Sequence, residues 1–189
     1  HPGREMTESL DGTAPIAWAP SVSPSERFHV IPRAINEEMI QEILDGYGKV
    51  AKRLEKAGVD GVEIVASHGY LPAQFLNPTV NRREDKWGGS DENRRRFLVE
   101  AIGKARATTG SEFIVGLRIS GDEQYEDGFS KSSTLETIKS LATDIDYVSL
   151  VDGTSATLGG SVHIVPPMYY EPGYVAPFSA RLKEIIDIP

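Results

Sequence analysis

Three short apolar segments alternate with amphipathic helical segments in this chain, and this alternation constrains the fold most strongly. The apolar segments are residues 59–66, 113–119 and 146–151. Apolar side chains recur with a 3.6-residue period over residues 37–57 and 91–109, which predicts helices there. Buried strands separated by helices are typical of parallel βαβ units. Right-handed crossovers of such units build either a doubly wound sheet or a closed barrel.

The rest of the chain adds two predicted helices, over residues 133–143 and 176–186. Residues 1–35 contain five prolines and almost no periodicity, so we expect an irregular surface segment there. A chain of 189 residues with 39% hydrophobic residues is large enough for one core. We therefore expect a single α/β domain over residues 1–189, with its βα units in residues 36–189.

The composition argues against several classes of partner. A net charge of −8 disfavours nucleic acids and anionic membrane surfaces, because both would repel the chain. The sequence has no run of about 18 apolar residues, so no transmembrane helix is predicted. With no cysteine and four scattered histidines, we expect neither a disulfide nor a metal site. We expect a cytoplasmic protein, since the lack of cysteine agrees with a reducing compartment, and a homo-oligomer stays open.

Residues 58–97 carry most of the chemical information. His68 and Tyr70 follow the predicted strand 59–66, and a long polar loop then leads through Gly-Gly-Ser into the second predicted helix. Enzymes built from parallel strands place their chemistry just past the carboxyl ends of those strands. An isolated histidine or tyrosine is usually structural, so it is this position that favours a functional role for the pair.

Arg118 is a further candidate because it is the only charged residue in the apolar segment 113–119. A buried cation is costly unless it meets a negative group. Two hypotheses follow: a salt bridge with a neighbouring carboxylate, or contact with an electron-rich ligand.

Residues 68–97 resemble the signature of the Old Yellow Enzyme family of flavin oxidoreductases. The family pattern is Gly-Tyr-Leu followed by Asn-x-Arg-x-Asp-x-x-Gly-Gly-Ser-x-x-Asn-Arg-x-Arg-Phe, and this sequence reads Gly-Tyr-Leu and then Asn-Arg-Arg-Glu-Asp-Lys-Trp-Gly-Gly-Ser-Asp-Glu-Asn-Arg-Arg-Arg-Phe. The resemblance implies the central portion of a (β/α)8 TIM barrel, with the three predicted strands as the fourth to sixth. Residues 1–4 would be the tail of the loop after the third strand, and residues 188–189 the start of the seventh.

The resemblance also implies a cofactor and roles for the candidate residues. FMN would be the cofactor and NAD(P)H the hydride donor, with an activated alkene or similar acceptor as substrate. His68 would donate a hydrogen bond to a ligand oxygen, and Tyr70 would give a proton to the substrate carbon. Arg118 would lie against the N1–C2=O edge of the flavin. The iron–sulfur cluster of two-domain relatives is held by cysteines, so it would lie in a part of the protein outside this chain.

Two features bear on the branch of the family. The Pro-Pro-Met-Tyr stretch after His163 resembles the branch that contains 2,4-dienoyl-CoA reductases and N-methyl-amino-acid demethylases. Val65 departs from the many relatives that place a second hydrogen-bond donor three residues before the His68 position. The acid that completes the triad of amine dehydrogenases also has no counterpart in residues 156–160. These features leave the choice of substrate open. An ene reductase is the first expectation, and oxidative N-demethylation of a small betaine or tertiary amine is the alternative.

A rival expectation is that the chain alone is an inactive barrel fragment. Barrel flavoproteins hold the phosphate of FMN with the loops after strands seven and eight. The resemblance places both loops beyond residue 189. We therefore expect the isolated chain to bind FMN poorly and to associate through exposed strand edges.

Overall fold

A computed structural model describes residues 3–7, 10–13 and 15–189. The described residues form five strands and six helices. In chain order these are β1 (Trp18–Ala19), β2 (Arg33–Ala34), α1 (Glu37–Lys56), β3 (Gly61–Ala66), α2 (Leu71–Leu76), α3 (Asp91–Thr108), β4 (Ile114–Ser120), α4 (Lys131–Leu141), β5 (Tyr147–Val151), α5 (Leu158–Ser161) and α6 (Ala176–Lys183).

The three longer strands form one parallel sheet in the order β3–β4–β5. Val65 pairs in register with Arg118, and Arg118 pairs with Ser149. Helix α3 connects β3 to β4, and α4 connects β4 to β5, which confirms the predicted βαβ units. On the other edge of β5, the Val148 N–H donates to the Pro189 carbonyl at 2.9 Å, as expected if a further parallel strand begins there.

The main core lies between one face of this sheet and the helices that cover it. Val115, Leu117 and Ile119, at alternate positions of the central strand β4, are fully buried in it. Helices α1 and α3 pack closely at Gly48, where a Cβ atom would lie only 2.9 Å from the Lys104 carbonyl oxygen. The sheet face that carries Val115, Leu117 and Ile119 is therefore occupied by the core, and only the opposite face can contribute to a binding site.

Side-chain caps set the starts of the three longest helices. Asn36, Ser90 and Ser130 accept hydrogen bonds from the backbone of the first turns of α1, α3 and α4. Such caps satisfy N–H groups that have no partner inside the helix. After the end of α1, Gly58 adopts a positive φ of 80°. The caps at Asn36 and Ser90 and the turn at Gly58 thus bound the two helices that the 3.6-residue period predicts.

Several predicted boundaries were wrong. The first apolar segment begins to pair only at Gly61, two residues later than predicted. Residues 1–35 include the short parallel pair β1–β2, so they are not wholly irregular. The loops after β3 and β5 contain the short helices α2 and α5. Residues 1 and 2 of the expected third-strand loop lie outside the described residues.

Within the described ranges, no helix has both the length and the apolar character that crossing a membrane requires.

Candidate functional site

The face of the β3–β4–β5 sheet that points away from the core carries the charged side chains Glu63 and Arg118. Because side chains alternate between the two faces of a strand, the partners of the buried positions point the other way. Val65 on this side is 36% exposed, and the Arg118 side chain is 42% exposed. We call this surface the open face, and define it by Glu63, Val65, Gly116, Arg118, Tyr147 and Ser149.

His68 lies just past the carboxyl end of β3, and its backbone is fixed by the neighbouring strands. Its N–H donates to Ser120 Oγ at 3.1 Å, and its carbonyl accepts from the Ser155 N–H at 2.8 Å. Its φ of 58° lies in the left-handed region, which costs about 1–3 kcal/mol for a residue other than glycine. Ser120 at the end of β4 and Ser155 in the loop after β5 thus hold the His68 backbone in a conformation that is unfavourable by itself.

The imidazole of His68 has an unsatisfied atom. Among the described residues, His68 Nδ1 and the neighbouring Ser67 Oγ are buried side-chain atoms with no hydrogen-bond partner. Buried polar atoms are nearly always paired, so an exception is typical of a place where a ligand or a water completes the bonding. This atom is the clearest structural sign of a binding site at the end of the sheet.

The environment of His68 favours its neutral form. Burial lowers the pKa of the imidazole, and the positive charge of Arg118 lowers it further. A neutral imidazole carries one N–H donor and one acceptor nitrogen. His68 can therefore donate a hydrogen bond at neutral pH without bringing a second positive charge beside Arg118.

Tyr70 is positioned by the start of α2. Its carbonyl accepts from the Gln74 N–H at 2.8 Å, and its N–H donates to the Ser67 carbonyl at 3.1 Å. Its ring lies 6.3 Å from the His68 ring, nearly perpendicular to it, and 36% of the residue is exposed. The phenol is thus held near the imidazole and remains accessible to a substrate.

Arg118 makes the salt bridge that was one of its two predicted alternatives. Its Nε donates to Glu63 Oε1 at 2.7 Å. The bond uses only one of the three guanidinium nitrogens, so it leaves the terminal nitrogens for a ligand. Contact of Arg118 with a flavin stays a prediction.

The three predicted site residues gather at one end of the open face. The rings of His68 and Tyr70 are neighbours, and Arg118 is close enough to His68 to affect its pKa. Val65 lies on the same face in register with Arg118 and offers no donor. His163 lies further along the loop after β5, where its Nδ1 is 3.1 Å from the Tyr174 hydroxyl.

Sequence reasoning missed a buried carboxyl group beneath this site. Glu123, in the loop after β4, accepts from Asn77 Nδ2 at 2.6 Å and from the Phe129 N–H at 2.7 Å, and it also bonds the Thr154 side chain. Burial raises the pKa of its carboxyl to about 7. The group ties together the loops that follow β3, β4 and β5. In the sequence, Glu123 stands in an acidic loop, and such a loop usually indicates solvent exposure rather than a buried carboxyl group.

The described residues contain no group of three or more His, Cys, Asp or Glu side chains that could hold a metal ion.

Comparison with known proteins identifies the family. The model of the NADH:flavin oxidoreductase / NADH oxidase family matches residues 2–177. The chain belongs to this family. The match confirms the resemblance drawn from residues 68–97.

The relatives in the NADH:flavin oxidoreductase family match between 91% and 100% of the chain. It is 36% identical over 182 residues to the N,N-dimethylglycine/sarcosine dehydrogenase of Chromohalobacter salexigens, covering 91% of this chain and 26% of the relative. It is 35% identical to the multifunctional alkene reductase/demethylase OYE of Caballeronia cordobensis, and this match covers 91% of this chain and 26% of the relative. A solved structure of a 2-naphthoyl-CoA reductase is 27% identical to this chain and superimposes with a TM-score of 0.82. The match covers 100% of this chain and 30% of the reductase.

The chain thus spans about a quarter of the length of these relatives, and about half of the shorter ones. Together with the parallel β3–β4–β5 sheet, these matches show that the fold is a portion of the family's (β/α)8 barrel. The open face is then the face that points into the barrel, since the helices of such a barrel lie outside.

Proposed function

We propose that the protein is an FMN-dependent oxidoreductase that uses NAD(P)H to reduce an activated alkene or a similar acceptor. One observation carries the proposal: the imidazole of His68, at the carboxyl end of parallel strands, has a buried nitrogen without a hydrogen-bond partner and lies within electrostatic range of Arg118. The description of the matching family and the alkene reductase among the relatives support the same reaction class.

The residues present fit an FMN ring. Arg118 would hold the electron-rich N1–C2=O edge, since a partly exposed guanidinium with unused terminal nitrogens favours a negative group there. FMN, when bound, supplies the two-electron chemistry that links NAD(P)H to the acceptor. The chain's own contribution is to orient the reactants and to place charge and protons.

His68 would bind an oxygen of the ligand. Its backbone is fixed from two neighbouring strand ends, and its lowered pKa keeps it neutral. A donor that is already aimed before the ligand arrives loses little freedom on binding, and so stabilises a developing negative charge efficiently.

Tyr70 would donate a proton to the substrate carbon opposite the one that receives hydride. A phenol is normally protonated at neutral pH and can act as a general acid from a fixed position. Its place beside His68 and its partial exposure support this role.

Oxidative demethylation of a small betaine or tertiary amine is the second candidate. The sarcosine dehydrogenase and the alkene reductase/demethylase among the relatives favour it. Val65 does not decide between the two candidates, because it lacks the donor group that a carbonyl-activating site or an amine-dehydrogenase triad would place at that position. The two activities separate in one assay pair: an ene reductase consumes NAD(P)H with an enone or a dienoyl thioester, whereas a demethylase releases formaldehyde from a betaine.

The setting of the reaction is part of the proposal. We propose that residues 1–189 belong to one barrel domain and that the protein acts in the cytoplasm on a small molecule, as a monomer or a homo-oligomer. The net charge of −8 supports this, since it disfavours nucleic acids and membrane surfaces as partners. We also propose that the 189 residues alone bind FMN weakly, and stoichiometric flavin absorbance in the purified chain would contradict that.

Separate half-reactions test the role of Tyr70. In the FMN-loaded full-length protein, Tyr70→Phe should leave flavin reduction by NAD(P)H unchanged and slow reoxidation by an enone by about 10²-fold or more, the usual contribution of a positioned general acid. Stopped-flow absorbance of the flavin measures both steps. Val99→Ala, a change on the exposed surface of α3, is the control. Equal reoxidation rates in the wild type and Tyr70→Phe would remove Tyr70 from the mechanism.

A further inference from the structure

One row of the open face crosses all three strands. Glu63 on β3 pairs in register with Gly116 on β4, and Gly116 pairs with Tyr147 on β5. A Cβ atom on Gly116 would lie 2.1 Å from Cζ of the Tyr147 ring. The phenol therefore passes across β4 through the space that a side chain at position 116 would fill.

This crossing brings two strands to the same carboxylate. The Tyr147 hydroxyl donates to Glu63 Oε2 at 3.0 Å, while Arg118 Nε donates to Glu63 Oε1 at 2.7 Å. The Glu63 side chain is only 23% exposed. Each carboxylate oxygen thus has its own donor, which restricts the rotation of the Glu63 side chain.

The way in which Glu63 holds Arg118 leaves part of the guanidinium unused. In the part of the chain that the structure describes, neither terminal nitrogen of Arg118 has an acceptor, and the only bond is through Nε. A planar guanidinium held at one edge keeps a fixed orientation and presents its other nitrogens outward. Its positive charge is felt at His68, at the end of the same sheet.

We propose that Glu63 is the positioning residue for Arg118. It fixes the guanidinium by its Nε edge, offsets part of its charge and leaves the terminal nitrogens directed to the ligand. Tyr147 holds Glu63 from the far strand, and the missing side chain at Gly116 makes that contact sterically accessible. Where it concerns FMN, this inference rests on the proposed function; where it concerns His68, it does not.

Titration of His68 tests the inference without any flavin. Glu63→Gln keeps the shape of the side chain and removes its charge, so Arg118 should act on His68 at full strength. The pKa of His68 in the FMN-free full-length protein, followed by NMR, should then fall by roughly half a pH unit, the size expected for one partly screened charge. Asp45→Asn is the matched control, because it removes a carboxylate of a similar ion pair with Lys104 at 2.6 Å on the helix side of the sheet.

The titration separates a positioning role from a merely structural one. An unchanged His68 pKa in Glu63→Gln, or the same fall in Asp45→Asn, would overturn the inference. A rise would overturn the inferred offset of charge and leave only the fixing of the guanidinium, since it would mean that Arg118 moves away from His68 once Glu63 is neutral. Tyr147→Phe keeps the charge of Glu63, so it should change the pKa of His68 by less than Glu63→Gln does.

The reduction potential of bound FMN gives a second measurement. In the FMN-loaded full-length protein, Glu63→Gln should favour the reduced flavin about tenfold relative to the oxidised form, which is a rise of about 30 mV for a two-electron couple. No rise would overturn the flavin part of the inference. Failure of the wild-type protein to bind FMN at all would instead defeat the proposed function, and the His68 titration would still decide the role of Glu63.

Discussion

The two faces of the β3–β4–β5 sheet are made from alternate residues of the same strands, yet they differ in burial and in charge. On the helix side, Val115, Leu117 and Ile119 have no exposed surface. On the open face, Arg118 sits between the last two of these, is partly exposed and is paired with Glu63. One strand therefore contributes to the core through one set of positions and to the candidate site through the other.

Truncating one apolar residue on each face is the test of this difference with the largest expected effect. Leu117→Ala should lower the free energy of unfolding of the 189-residue chain by about 2–5 kcal/mol, because it leaves a cavity in a closely packed core. Val65→Ala, in the neighbouring strand on the open face, should cost less than about 1 kcal/mol, since Val65 is already 36% exposed. Urea unfolding of both variants measures the difference. Similar losses would show that the open face is a second core.

Glu123, at the carboxyl end of the sheet, combines features of the two faces. It has an ionisable side chain, as Glu63 and Arg118 do on the open face, but it is as buried as the residues of the core. Its folded-state pKa is raised from 4.5 to about 7, so the folded protein prefers the protonated form. The resulting stability is fully present below pH 4.5 and is lost as the pH rises through 7. Over this window the loss should amount to about 3 to 4 kcal/mol at most, from about 1.4 kcal/mol for each pH unit.

Thermal unfolding of the 189-residue chain between pH 5 and pH 8 measures this effect. Glu123→Gln cannot ionise, so its melting temperature should depend less on pH than that of the wild type. Glu126→Gln, which changes an exposed carboxyl in the same loop, is the control. Identical pH profiles for the wild type and Glu123→Gln would mean that the carboxyl does not titrate in this range.

The fold was largely predictable because its signals are local. The 3.6-residue period, the caps at Asn36 and Ser90, and the Gly58 stop all depend on neighbours within a few residues, and each is found in the structure. Helix α2 was missed because it is only six residues long and begins with Leu-Pro inside a segment that otherwise reads as a polar loop.

The site was predictable only in part. His68 and Tyr70 could be placed from their position past a strand, and Arg118 from its charge within an apolar strand. The pairing of Arg118 with Glu63 depends on the register between β3 and β4, which is a long-range property that no local pattern contains. Glu123 was missed for a related reason, since its burial is created by the packing of three separate loops.

The affinity of the full-length protein for FMN tests the central claim most directly, namely that the open face with Arg118 and His68 binds the flavin. Quenching of flavin fluorescence would give the dissociation constant for the wild type, Arg118→Ala, His68→Ala and the control Lys104→Ala, which removes a cation on the helix side. We expect Arg118→Ala to weaken binding by tenfold or more, equal to at least about 1.4 kcal/mol, with a smaller loss for His68→Ala and none for Lys104→Ala. Wild-type affinity in Arg118→Ala would contradict the account.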